Sequence, residues 1–208
     1  GAGNLLGDEQ SGHVAAVGFE MYAQMLEEAV AELRGEHLAA LTTVRLDVPV
    51  TAYVPPAYIA YEATKVDAHR RIARAATLGE LGDVRAELAD RFGAPPGPVE
   101  NLLALQALRI KAGELGLRAV TLRGARLQLD GLDIDGGGIA RLRAALPRAV
   151  YLAQRSVLTV HGDGAAPAAE DELNERSQAL MWVEQVLDAI LDARATADLS
   201  SDPGSQNS

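Results

Sequence analysis

Apolar residues at Val14, Val17, Met21, Met25, Ala29 and Leu33 recur at helical spacing and stop at Gly35, which predicts an amphipathic first helix. The pattern then changes period. Val44, Leu46, Val48, Val50, Ala52 and Val54 alternate with Arg45, Asp47, Pro49, Thr51 and Tyr53, the signature of a strand with one buried face. Pro49 has no N–H to give a ladder, so the strand is expected at a sheet edge or with a bulge, and Pro55-Pro56 ends it. A helix is predicted over 61–76. Thr77-Leu-Gly-Glu80 has capping-box spacing and starts another that runs to Phe92, with Gly93 as its stop. Pro98 suits the first turn of a third helix, about 98–115. Val99, Leu102, Leu103, Leu105, Leu108, Ile110 and Leu115 make that helix apolar on nearly every side, so it should lie in the core.

Beyond it, Ala119–Arg123 and Arg126–Asp130 flank Gly124-Ala125 as a two-residue hairpin. A short helix (139–146), a strand (Val157–His161) and a small-residue linker (162–168) follow. Leu173, Leu180, Val183, Leu187 and Ile190 mark a last long helix, and the polar residues from Thr196 onward predict a disordered tail. The fold class is α+β: a small antiparallel sheet flanked by helices and preceded by a helical arm. The expected organisation is an arm over 1–36, a domain over 44–195 and a tail over 196–208.

Composition narrows what such a domain can bind. With 29 acidic against 19 basic residues, the formal charge is −10. A domain that grips phosphates unaided needs a basic face, and five Tyr, two Phe and one Trp leave little for base stacking. An acidic chain is better matched to another protein's basic surface. No apolar run approaches the roughly 18 residues a membrane helix needs, so no membrane partner is expected. The absence of cysteine removes disulfides and thiolate metal sites, and fits a reducing cytosol.

Several chemical motifs fall short. Gly1-Ala-Gly3 with Gly7 misses the dinucleotide fingerprint by one residue. Asp133-Ile-Asp135-Gly136 starts like a calcium loop, but Gly137 and Ala144 stand where ligands are required, so it reads as a loop capping the next helix. His13, His37, His69 and His161 are dispersed without metal-ligand spacing, and His69 reads as a partly buried packing residue. There is no Walker lysine loop. The expectation is therefore no catalytic residue, no metal and no cofactor within this chain.

Two blocks do carry a resemblance. The opening run Gly-Ala-Gly-Asn-Leu-Leu-Gly-Asp-Glu-Gln-Ser-Gly12 is similar to the segment after the helicase core in bacterial transcription-repair coupling factors and in RecG-type DNA translocases. The second block, Tyr53-Val-Pro-Pro-Ala-Tyr-Ile59 followed by Glu87-Leu-Ala-Asp-Arg-Phe-Gly93, resembles the carboxy-terminal domain of the coupling factors and is not shared with the RecG type. The chain is thus identified as resembling the carboxy-terminal part of a transcription-repair coupling factor. That resemblance implies an ATP- and Mg-dependent DNA translocase as parent, which displaces stalled RNA polymerase from duplex DNA and recruits excision repair through the protein UvrA.

It also implies roles for particular residues. Gly3, Gly7, Glu9, Gln10 and Gly12 would form the translocation motif coupling ATP turnover to movement. Glu87, Asp90 and Arg91 would belong to a surface that docks on, and masks, the amino-terminal UvrA-binding module. Each has a plainer reading. Gln10 can cap the following helix, and the Asp-Arg-Phe-Gly end can simply hold two helices at a fixed angle. Function classes left open beside the family reading are a small hydrolase using an acidic pair and a stand-alone acidic protein-binding adaptor.

Overall fold

A computed structural model describes residues 44–162 and 177–200, with side chains to 195. It divides into two compact units, and the division falls inside one helix, between Gln106 and Ala107. The first unit holds Pro49–Gln106 and Ser177, and the second holds 44–48, 107–162 and the final helix.

In the first unit, α1 (Glu62–Arg74), α2 (Leu78–Phe92) and the start of α3 (Gly97–Glu114) follow an extended stretch. Along that stretch Val50, Ala52 and Val54 are buried while Pro49, Thr51 and Tyr53 are not, so the predicted alternation of faces holds. The ladder does not, because pairing is confined to β1 (Arg45–Asp47), ahead of Pro49. Helix α2 starts as its sequence dictates. Thr77 Oγ1 accepts from Glu80 N at 3.1 Å, and the Glu80 carboxylate reaches back to Ala76 N at 2.8 Å, satisfying two donors at the helix start. It ends at Gly93, whose φ of 87° and ψ of −177° suit glycine.

Helix α3 carries three polar side chains that are almost wholly buried, Asn101, Gln106 and Lys111, and each is bonded. In the first unit Asn101 Nδ2 donates to Thr51 O at 2.8 Å, while its Oδ1 accepts from Ser177 N at 2.9 Å. Gln106 Nε2 donates to Ala75 O at 2.8 Å, closing the end of α1. Around them Val99, Leu102 and Leu103 are at most 4% exposed. Each such buried leucine contributes about 1.5–3 kcal/mol. Ile110, expected in the core, is only half-buried.

The second unit is a five-stranded sheet in the order β1-β2-β3-β5-β4, with β2 Ala119–Arg123, β3 Arg126–Asp130, β4 Ala149–Leu152 and β5 Val157–His161. The α+β class is as the sequence predicts, and three of the four pairings are antiparallel. The sheet is nevertheless mixed, because β1 lies parallel to β2. The hairpin forms as expected, Leu122 opposite Leu127, with Gly124 at φ 55° in the turn. Strand β4 is an addition to the predicted elements.

One sheet face, with Leu46, Val120, Leu122, Leu127, Leu129, Leu158 and Val160, is buried. Helix α4 (Gly136–Ala145) opens at Asp135, whose carboxylate accepts from Gly138 N, the capping role expected of that loop. Helix α5 (Gln178–Ser200) buries Leu180, Val183, Val186, Leu187 and Ile190, and runs a turn past the point where a tail was expected. Lys111 reaches Glu184 at 2.9 Å and Asp188 at 2.7 Å on that helix. Burial pulls the Lys111 pKa down, but the bonds to Asp188 and Glu184 outweigh it and the net shift is upward. No described helix is long and apolar enough to cross a membrane.

Candidate functional site

The surface of interest lies on α1 and α2 within the first unit. The inward stripe of α2, Leu81, Val84 and Leu88, faces the core; Asp90 lies on the outer side, while Glu87 and Arg91, four residues apart on the helix, flank the groove toward α1. The carboxylate of Glu87 is shared. Its Oε1 accepts from Arg91 at 3.2 Å and its Oε2 from Arg71 of α1. Arg71 also pairs with Asp67 at 2.9 Å, so one guanidinium holds a carboxylate from each helix. The Arg91 guanidinium sits 5.0 Å from the centre of the Phe92 ring.

Asp67, Arg71, Glu87 and Arg91 form a network whose charges cancel, and Asp90, like Asp83 on the same helix, is exposed and carries no bonded partner among the described residues. The groove between the helices is lined by Thr64, Asp67, Arg71, Glu87, Leu88 and Phe92 among others and holds only about 10 Å³. That is the room of roughly one water molecule, too little for a small-molecule substrate. An acid–base pair for hydrolysis finds no cleft here, since the carboxylates of Asp67 and Glu87 both point to Arg71. Among the described residues no cluster of three or more His, Asp or Glu could hold a metal ion.

A tyrosine fixes this end of α2. The Tyr58 hydroxyl lies 3.1 Å from Leu88 O and 3.0 Å from Gly93 O, and its ring meets Phe92 edge-on at 5.9 Å between centroids. Burial, with the nearby charge of Glu100, raises its pKa, and Arg85 opposes this. Arg85 in turn makes a forked contact with Glu100 of α3, Nη2 to Oε1 at 2.7 Å, tying α2 to α3. Burial and neighbouring Lys65 lower the pKa of His69, in keeping with a packing role.

Of the residues singled out in the sequence, Glu87, Asp90 and Arg91 come together on one surface. Gly3, Gly7, Glu9, Gln10 and Gly12 lie outside the described residues, as does the whole predicted arm. Arg71, Asp67 and Tyr58 were not assigned to the site. The Asp67–Arg71 spacing of four was a legible helical pair, whereas the Arg71–Glu87 contact joins two helices.

Comparison with known proteins places this arrangement. The family model described as the TRCF domain matches residues 48–132, which contain α1, α2, α3 and the hairpin. The transcription-repair-coupling factor of Mycobacterium bovis is 37% identical over 172 residues, 77% of this chain and 14% of that protein. The chain belongs to the transcription-repair coupling factor family. The coupling factor of Myxococcus xanthus is 40% identical over 145 residues, 68% of this chain and 12% of that protein. The chain thus spans about a seventh of the length of these relatives. In shape it is similar to the crystal structure of the C-terminal domain of a transcription-repair coupling factor, with a TM-score of 0.57. That match covers 74% of this chain and 95% of the other at 14% identity, a likeness of fold alone.

Proposed function

We propose that this coupling-factor chain is the carboxy-terminal regulatory part of an ATP-dependent DNA translocase that removes stalled RNA polymerase and recruits nucleotide excision repair. In this reading the outer surface of α2 docks on the amino-terminal UvrA-binding module of the same protein and masks it until the motor engages. The segment with Gly3, Gly7, Glu9, Gln10 and Gly12 couples the motor to the duplex. ATP and Mg are bound by the motor, and this chain hydrolyses no ATP on its own. The parent works in the cytoplasm.

The observation that supports the docking most is that Asp90 and Arg91 are exposed, and Glu87 half-buried, on one surface of α2 beside a groove too small for a metabolite. A partner meeting this surface finds both charge signs at fixed positions. A cation can pair with Asp90 and compete with Arg71 for Glu87, while a carboxylate can take the outer side of Arg91. Such pairing gives register and selectivity more than raw affinity, and it weakens as salt rises. Titration of the chain with the amino-terminal module tests this. Saturable binding that falls with ionic strength is expected, and no binding at high micromolar concentration contradicts it.

A further inference from the structure

The two ends of the five-stranded sheet are treated differently. Register puts Arg45, Ala119, Asp130, Val157 and Leu152 in one cross-strand row of the less buried face, and Asp47, Thr121, Gln128, Thr159 and Val150 in the next. At the β1 end that face is charged, with Arg45 exposed and Asp47 paired to Arg123. Charge of this kind discourages strand addition. At the β4 end the same face carries Val150 and Leu152, 53% and 48% exposed. Tyr151, between them, donates to Leu132 O at 2.9 Å and fixes which side of the strand points inward. No strand lies beyond β4 among the described residues.

The charge around β4 is also unlike the rest of the molecule. From Gly136 to His161 the chain has Arg141, Arg143, Arg148 and Arg155 and not one Asp or Glu, although the protein as a whole is −10. Arg148 immediately precedes β4, and Arg155 lies in the 3-10 turn (Ala153–Arg155) that follows it. Both are exposed. An apolar pair framed by cations on a terminal strand fits an extended segment of opposite character, with apolar residues alternating with carboxylates.

We propose that β4 is a docking edge for an acidic, extended segment of another protein, which adds to the sheet as a sixth strand. Backbone pairing to β4 supplies the attachment, Val150 and Leu152 receive its alternate apolar side chains, and Arg155 selects for its carboxylates. This is independent of the α2 surface and of the masking role assigned to it.

The test uses the whole chain and two ten-residue peptides, valine alternating with glutamate and valine alternating with lysine. The glutamate peptide is expected to bind saturably, at least about tenfold more tightly than the lysine peptide, and to slow amide exchange within Ala149–Leu152. Val150→Ser with Leu152→Ser, and separately Arg155→Glu, should each weaken it severalfold while exchange protection in β2 and β3 stays unchanged. Equal binding of both peptides, no binding at millimolar concentration, or protection elsewhere than β4 would overturn the proposal. So would duplex DNA that binds the same edge more tightly than the glutamate peptide. The peptide comparison needs no variant, so a substitution that fails to fold leaves the test intact.

Discussion

Asn101 is wholly buried on α3, and its amide joins the extended stretch at Thr51 to Ser177, the residue before α5. Asn101→Ala removes an acceptor from Ser177 N–H and a donor from Thr51 C=O together. A buried polar group left without a partner costs about 1–3 kcal/mol. Both groups belong to partly buried residues, where water can replace some of the loss, so the expected destabilisation is about 2–3 kcal/mol. Asn101→Asp is more discriminating. One carboxylate oxygen can still accept from Ser177 N–H, but the other now faces the Thr51 carbonyl with a lone pair. Burial against that carbonyl raises the folded-state pKa of the new carboxyl above its unfolded value of about 3.9. Stability is then retained below that value and lost as pH rises through the folded pKa. Urea unfolding at several pH values reads both effects. A loss below about 0.5 kcal/mol for Asn101→Ala, or a pH-independent loss for Asn101→Asp, would refute the view that this amide clamps the unit.

Gly93→Ala is expected to cost about 1–3 kcal/mol in the same assay, because a φ of 87° with ψ of −177° suits only glycine. No atom lies within 4 Å of the added Cβ, so the cost is one of backbone conformation, and a neutral result would contradict the geometry. The raised pKa of Lys111 means that its ion pairs with Glu184 and Asp188 stabilise the fold fully below the unfolded pKa of about 10.5 and fade as pH climbs through the folded value. Lys111→Met should flatten stability above pH 10, and an unchanged alkaline profile would show that other groups govern it. Arg71→Ala removes two half-exposed pairs typically worth about 0.3–0.5 kcal/mol each, so thermal stability should fall only slightly. Its docking partner should bind about twofold to fivefold more tightly as Glu87 is released, and weaker binding would reverse the assigned role of Arg71.

Local rules made much of the fold legible. The Thr77-x-x-Glu80 box, the Gly93 stop and the Gly124-Ala125 hairpin are decided by residues a few positions apart, and each stands as read. Where long-range contacts decide, the sequence was silent. Val44 to Val54 alternate in burial nearly as their pattern demands, yet only Arg45–Asp47 pair, because Pro49 cannot donate and the chain leaves the sheet. The parallel pairing of β1 with β2 joins strands separated by three helices, and no local pattern encodes it. Strand β4 was missed because Ala149-Val-Tyr-Leu152 is apolar throughout and shows no alternation. At the candidate site Glu87, Asp90 and Arg91 share a face as helical spacing requires. Their charge balance depends on Arg71, which arrives from another helix.

The central claim is that the outer face of α2 meets the amino-terminal UvrA-binding module. Amide exchange on an equimolar mixture of that module and this chain tests it most directly, with Glu87→Lys as the control. The account predicts added protection over Glu87–Gly93 and its loss in the variant, with unchanged exchange in α3 of the variant alone as the check that it folds. Protection confined to other elements, or undiminished binding by the variant, would contradict it.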